Sequence, residues 1–341
     1  MQLAPRTEPL LRTDHSGWPV YDIFGLNLAS EHPFANRIRP GLGVPELTFS
    51  CVDQPPRADD WEHEEPPYAS PSRTEDGKRV AALHRLDTCD VLRFTGVADF
   101  YLWRNRVVCH LLDPAHDYLV EILLLGPVLS YWLELRGVPA LHASAVEAGR
   151  SAVAFLSSNR GGKSTLAATL MQAGLPLLTD DILPVERTGE VYLGRPGYPT
   201  MRMWPEEAEH FVGSCQDLDL VHPDLTKCRV PVGPDGFGAF CDGARPLACI
   251  YLPTRRDPED PRTHVEITPV SPKEAVIELV RHSFTPRVVE AVGLQPQRLR
   301  VFAELAQEVS VRRLFYPGGF DQLPGVRQAI LKDLSRLHAL S

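Results

Sequence analysis

The sequence predicts an α/β protein in which a smaller β-rich N-terminal domain, residues 1–136, precedes a domain of alternating strands and helices over residues 137–341. Three observations predict it. Four strand-like apolar runs separated by turn residues follow one another between residues 80 and 112. After Gly137 the texture changes to strands interleaved with helices. Within that second part, residues 151–180 read as strand, glycine-containing loop, helix and second strand, a compact βαβ unit.

The length of 341 residues agrees with two domains rather than one. Apolar residues at 43% and charged residues at 23% give an ordinary folded chain with a real core. The formal net charge of -9 argues against non-specific nucleic-acid binding, which depends on neutralising phosphates. No membrane association is expected. The start of the chain, MQLAPRTEPLLRTD, lacks the apolar core of a secretory signal, and the run Ile122–Leu133 is interrupted by Pro127 and too short to span a bilayer. Seven cysteines form no CxxC pair, so reduced, mostly buried thiols in a cytoplasmic protein are expected.

Along the chain, residues 1–56 read as short extended pieces such as YDIFGLNLAS and VPELTFSCV. Residues 55–78 are rich in Pro, Asp, Glu, Arg and Ser without a hydrophobic period and read as a solvated loop or flexible insertion. The EHEE at 62–65 reads as a solvated charge run rather than a metal site. VAALHRL, VLRFTG, ADFYLW and RVVCHLL are the four strand candidates, and Leu119–Leu135 reads as one buried helix closed by Gly137. Ala140–Val146 and Ser151–Leu156 are strands joined by the turn EAGR, Ser164–Ala173 is a helix stopped by Gly174, and Leu177–Asp180 is a short strand. Further on, PLACIYLP and HVEITPV read as strands. SPKEAVIELVRHSF, RLRVFAELAQEV and LPGVRQAILKDLSRLHAL carry apolar residues three or four apart and read as helices.

The segment AVAFLSSNRGGKSTLAATL carries the strongest chemical signal. Against G-x-x-x-x-G-K-[ST], Gly162, Lys163 and Ser164 match and Ser157 replaces the first glycine. Such a loop turns backbone N–H groups inward around phosphates at the positive end of the following helix. Residues Ser157, Ser158, Asn159, Arg160, Gly161, Gly162, Lys163, Ser164 and Thr165 are therefore the nucleotide-binding candidates. Lys163 would neutralise the β- and γ-phosphates, Ser164 would ligate magnesium, and Thr165 would add a helix cap. Arg160 stands where a small residue is common, either donating to a γ-phosphate or pointing outward. The second signal is LLTDD. Asp180 and Asp181 end the next strand, where one carboxylate can hold magnesium and the other accept the proton of an attacking hydroxyl. His142, in LHASAV, is a structural residue or, if its strand pairs beside the loop strand, one whose ring reaches the phosphates.

LHASAV, SSNRGGKSTLAATLMQAG and the LLTDD that begins so soon after Lys163 together make the chain resemble the HPr kinase-related family. The catalytic domain of that family in turn resembles that of phosphoenolpyruvate carboxykinase. Weaker likeness continues through RPGYPTMRMW, LTKCRVPV, RPLACIYLP and VRRLFYPGG, so the resemblance spans roughly residues 137–341. It implies a P-loop-containing HPr kinase/phosphoenolpyruvate carboxykinase-like catalytic domain, ATP and Mg2+ as cofactors, and transfer of the γ-phosphate to a serine-type hydroxyl. The acceptor would be a peptide, protein or small molecule; uncharacterised members of the group include tailoring kinases of ribosomally made peptides. By the resemblance His142 and Lys163 lie at the phosphates, Asp180 is the base, and Ser164 and Asp181 hold the metal, with exchange of the two carboxylates left open. It also implies homo-oligomers. The Glu-x-Arg-Gly-x-Gly signature of HPr kinases is missing, which argues against HPr as substrate. The corresponding stretch offers Arg195 and Arg202, and Lys227 and Arg229 are further phosphate-facing candidates. The altered loop and the missing signature motivate a second reading, a nucleotide-dependent binding or regulatory module without acceptor chemistry.

Overall fold

The computed structural model describes residues 17–57, 61–257, 260, 262 and 264–338. The expectation about the first fourteen residues lies outside them. The chain is a mixed α/β protein with large sheets and divides into two compact units, Met1–Arg136 with Arg287–Gln295, and Gly137–Pro286 with Pro296–Ser341. The sequence assigned all of 137–341 to one domain. Arg287–Gln295 instead belongs to the first unit, where the Arg85 guanidinium donates to the Val292 carbonyl at 3.2 Å.

The first unit is built on a nine-stranded sheet. Its order is Arg39–Pro40, Val20–Ile23, Leu26–Ser30, Leu47–Val52, Arg106–Leu111, Ala98–Leu102, Asp90–Phe94, Ala81–Arg85 and Tyr68–Ala69. Pairing is antiparallel except on the two sides of Leu47–Val52, which runs parallel to Leu26–Ser30 and to Arg106–Leu111. The four apolar runs of the sequence all form strands, and Ala98–Leu102 is buried on both faces. Two expectations are corrected. Residues 55–78 are partly built into the fold: Trp61 is 4% exposed beneath the Arg93 guanidinium, and Tyr68–Ala69 pairs with the sheet edge. The buried helix is not continuous, because Gly126 and Pro127 break it into Asp117–Leu123 and Leu129–Glu134. Proline supplies no N–H to the helical ladder, and Gly126 (φ -95°, ψ -109°) takes up the bend.

The second unit holds another nine-stranded sheet. Along its main path lie Ala140–Leu141, Leu183–Thr188, Val191–Gly194, Arg245–Arg255, Ser151–Leu156, Ala143–Ala148 and Leu177–Thr179. Ser310–Tyr316 runs parallel to Arg245–Arg255 and antiparallel to Glu266–Pro269. The loop strand Ser151–Leu156 sits at the centre, and its alternation explains its unbroken apolar sequence. Val153 and Phe155 pack with Leu166 and Leu170 of the helix Lys163–Met171 and with Ile330 of Leu323–His338. Ala152, Ala154 and Leu156 pack on the other face with Leu279, Phe302 and Leu305 of the helices Pro272–Arg281 and Gln295–Glu308. Both faces are buried, so neither needs polar residues.

The βαβ reading needs one correction. The strand Leu177–Thr179 does not pair with the loop strand; Ala143–Ala148 lies between them, antiparallel to both. A third, three-stranded antiparallel sheet joins Thr200–Met203, Leu225–Pro231 and Leu220–His222. No helix among the described residues is long and apolar enough to cross a membrane.

Candidate functional site

The interposed strand determines the site. Because Ala143–Ala148 lies between the loop strand and the acidic strand, the residues at its start face both the loop and the two carboxylates. His142 immediately precedes it and Ser144 follows two positions later, on the same side by the two-residue period of a strand.

The loop leaves Leu156 and turns back over itself before the helix Lys163–Met171. Gly162 is left-handed (φ +86°), and a Cβ there would strike the Tyr316 hydroxyl. A Cβ on Gly161 would run into the Ser157 side chain and the Ser158 carbonyl. The two glycines are thus required by the backbone path, and the missing first glycine is tolerated because Ser157 packs beneath the turn. Lys163, 7% exposed, donates from Nζ to the Ser157 carbonyl at 2.9 Å and to that of Ser158 at 3.3 Å. Burial pulls its ammonium below the usual lysine range against the opposing pull of Asp180 and Asp181, and the nearby Lys227 lowers it further.

The two aspartates are held quite differently. Asp180 accepts three hydrogen bonds. Ser144 Oγ and Ser164 Oγ donate to Oδ1 at 2.5 and 2.8 Å, and the Arg202 backbone N–H donates to Oδ2 at 2.9 Å. Asp181 has a left-handed backbone (φ +82°), unusual outside glycine. Its Oδ2 pairs with Arg202 Nη1 at 2.9 Å and its Oδ1 lies 3.1 Å from His142 Nδ1. Burial pushes this carboxyl up, but the Arg202 guanidinium and the His142 ring outweigh it and hold it well below the usual carboxylate range. Arg202 also donates to the Tyr198 hydroxyl at 3.0 Å. His142 Nδ1 faces the Asp181 carboxylate and, at 3.0 Å, the Asp181 carbonyl. Its Nε2 lies 2.9 Å from the Asn159 side-chain oxygen, which ties the histidine to the loop.

Several predicted residues take other places. Ser164 bonds Asp180, not Asp181, so the metal pair expected from the sequence is not the pair in contact. Thr165 provides no helix cap; its hydroxyl donates to Glu207, whose other oxygen accepts the Trp204 N–H at 3.0 Å. Arg160, left-handed at φ +63°, lays its guanidinium 4.7 Å from the centre of the Trp204 ring, and Lys227 Nζ lies 5.1 Å from the same ring. Arg195 is paired with Glu186 at 2.7 Å, and Arg229 donates to the Val221 carbonyl at 3.3 Å. Sequence reasoning missed Ser144, Tyr198, Trp204 and Tyr316. The two-residue period from His142 would have found Ser144. Tyr198, Trp204 and Tyr316 lie in the stretches RPGYPTMRMW and VRRLFYPGG, where the sequence singles out only Arg195 and Arg202.

The residues present fit a nucleotide phosphate and a magnesium ion. Gly161 and Gly162 bring backbone close to any phosphate seated in the loop, and Lys163 supplies a cation. Ser164 and Asp180 offer two hard oxygen donors 2.8 Å apart. No group of three or more His, Cys, Asp and Glu side chains that could hold a metal occurs among the described residues. Magnesium takes one or two protein oxygens and completes its shell with phosphate and water.

The fold and site define a mixed α/β protein with a glycine loop facing paired aspartates. No family model matches the chain, and no curated protein matches it. Among solved structures it is similar to an HPr(Ser) kinase/phosphatase from Coxiella burnetii, with 12% identity and a TM-score of 0.29, over 59% of this chain and 90% of that one. The similarity is distant and bears on neither site nor substrate.

Proposed function

We propose that the chain is an ATP- and magnesium-dependent kinase that transfers the γ-phosphate to a serine-type hydroxyl of a peptide, protein or small molecule. The observation that carries this reading is the division of labour at Asp180 and Asp181. One carboxylate is bonded to the hydroxyl of the residue after the loop lysine. Its neighbour stands free of that hydroxyl, ionised and oriented by Arg202 and His142. Phosphoryl transfer needs mainly positioning and charge stabilisation, so a weak, well-placed base suffices.

The contacts support exchanging the roles that the sequence suggested. Asp180, with Ser164, is the carboxylate that would hold magnesium; the metal, when bound, supplies charge neutralisation at the phosphates. Asp181 orients the acceptor hydroxyl and takes its proton. Lys163 releases its carbonyl partners to bind phosphate oxygens, and Asn159 and His142 fix the loop over Asp181. The expectations of a cytoplasmic protein and of a homo-oligomer belong to the same proposal.

Calorimetry with Mg-ATP, followed by mass measurement of offered serine peptides, tests this reading. The wild type is expected to bind and transfer, Asp181→Asn to bind without transfer, and Asp180→Asn to require more magnesium for binding. Binding by the wild type with no transfer to any hydroxyl acceptor would favour the second reading, a nucleotide-dependent regulatory module. The ion pair that holds Asp181 against Arg202 is the observation in its favour.

A further inference from the structure

Cysteine chemistry in the first unit is separate from all of this. Cys51 and Cys109 lie on the adjacent parallel strands Leu47–Val52 and Arg106–Leu111 and are directly paired in register. Phe49 and Val107 are paired two residues earlier, so both thiols continue the same face of the sheet. Cys109 is fully buried, whereas Cys51 is partly exposed. His32 Nδ1 lies 3.7 Å from the Cys51 sulfur, and the His32 ring is wedged between Phe34 and Phe49. Cys51, against the opposing effect of burial, and then the carboxylates of Asp117 and Glu121 favour the charged imidazole. Glu121 is itself fixed by the N–H groups of Ala35 and Asn36 at 2.8 and 2.9 Å.

From this geometry we infer that Cys51 is an oxidant-reactive thiol and Cys109 its resolving partner, the two forming a reversible disulfide between neighbouring strands. Adjacent strands stand about 4.8 Å apart, inside the roughly 4.4–6.8 Å that a disulfide spans between Cα atoms. The bond therefore asks for side-chain rotation rather than backbone movement. The neighbouring Cys109 thiol, and then the His32 ring, lower the pKa of the Cys51 thiol against the opposing effect of burial and so favour its thiolate. In the second unit burial, and then the neighbouring Cys215, push the Cys228 thiol up to about 11.

The chemistry needs hydrogen peroxide as oxidant. The Cys51 thiolate attacks the O–O bond, which breaks; the departing oxygen takes up a proton and leaves as water, and Cys51 becomes a sulfenic acid. The Cys109 sulfur then attacks the Cys51 sulfur, forming the S–S bond and breaking S–O. The released hydroxide takes the Cys109 proton and leaves as a second water. Two thiols and one peroxide give one disulfide and two waters, and an external dithiol reverses the result.

The test uses the reduced full-length protein. Site-resolved alkylation by iodoacetamide across a pH series should give Cys51 a midpoint near its lowered value and a rate at pH 7 on the order of tenfold above that of an ordinary thiol. His32→Gln should move the midpoint up. After treatment with hydrogen peroxide, non-reducing peptide mapping should show the Cys51 peptide joined to the Cys109 peptide. In Cys109→Ser, a sulfenic acid on Cys51 should be trapped by dimedone. The inference is overturned if wild-type Cys51 alkylates like an ordinary thiol. It is equally overturned if peroxide joins Cys215 to Cys228 while Cys51 stays reduced, or drives Cys51 to sulfinic acid with Cys109 still free. The wild-type measurements need no variant to fold.

Discussion

Replacing Asp180 separates the structural share of that side chain from its chemical one. Its carboxylate takes two serine hydroxyls on Oδ1 and the Arg202 N–H on Oδ2. An asparagine can reproduce all three contacts. Its amide oxygen receives the Arg202 N–H, and its two N–H donors face the Ser144 and Ser164 oxygens, which accept as readily as they donate. What is lost is the charge on the acceptor, worth about 1 kcal/mol over a neutral hydrogen bond. Alanine, by contrast, leaves the Arg202 N–H and the fully buried Ser144 hydroxyl without partners, at about 1–3 kcal/mol for each buried group. Asp180→Asn is therefore expected to unfold in urea within about 1 kcal/mol of the wild type, and Asp180→Ala about 2–6 kcal/mol lower. Calorimetric titration of the asparagine variant with ATP should show a raised magnesium requirement despite the preserved fold. Equal destabilisation by both variants would refute the hydrogen-bond reasoning. Unchanged magnesium dependence would refute the metal-binding role.

Other variants test neighbouring contacts. Asp181 titrates lower in the folded protein than its unfolded value of about 3.9, so the stability it contributes is full above that value and is lost as pH falls through the lower folded one. Asp181→Asn, which tolerates the left-handed backbone, should lower stability at neutral pH by about 2 kcal/mol. It should also flatten the loss of stability on acidification below about pH 4, followed by circular dichroism; an unchanged acid profile contradicts the pairing. Gly162→Ala should cost about 1 kcal/mol for the left-handed backbone plus about 1–3 kcal/mol for the clash with Tyr316. Adding Tyr316→Phe should return only the second part in urea unfolding. At Arg160, glycine removes both the strained backbone and the stacking on Trp204, two effects of about 1 kcal/mol each, and should leave thermal stability nearly unchanged. Alanine keeps the strain, loses the stacking, and should melt lower. Equal melting of the two variants would show that Arg160 is not strained.

The loop and its aspartates were legible because their chemistry is written in consecutive residues. Gly161, Gly162, Lys163 and Ser164 form one turn, and Asp180 and Asp181 end a strand that the apolar run Leu177–Leu178 announces. The alternation of strands and helices was legible for the same reason. Sheet order was not. The turn EAGR announces the hairpin of Ala143–Ala148 with the loop strand, but the crossover that brings Leu177–Thr179 to the far side of Ala143–Ala148 leaves no local pattern. The strand Ser310–Tyr316 was hidden by Arg312 and Arg313 at its centre. Arg312 can sit in a central strand because it pairs with Asp333 at 2.9 Å, a partner on the helix Leu323–His338. The role of Arg160 was equally hidden, since its stacking partner Trp204 stands on a different element.

Phosphoryl transfer at this loop is tested by the mass of serine-containing peptide acceptors after incubation with the protein and Mg-ATP, beside the Lys163→Ala variant. One added phosphate on an acceptor hydroxyl is expected with the wild type and none with Lys163→Ala. Equal phosphorylation by both, or tight Mg-ATP binding by the wild type with no acceptor modified, would contradict it.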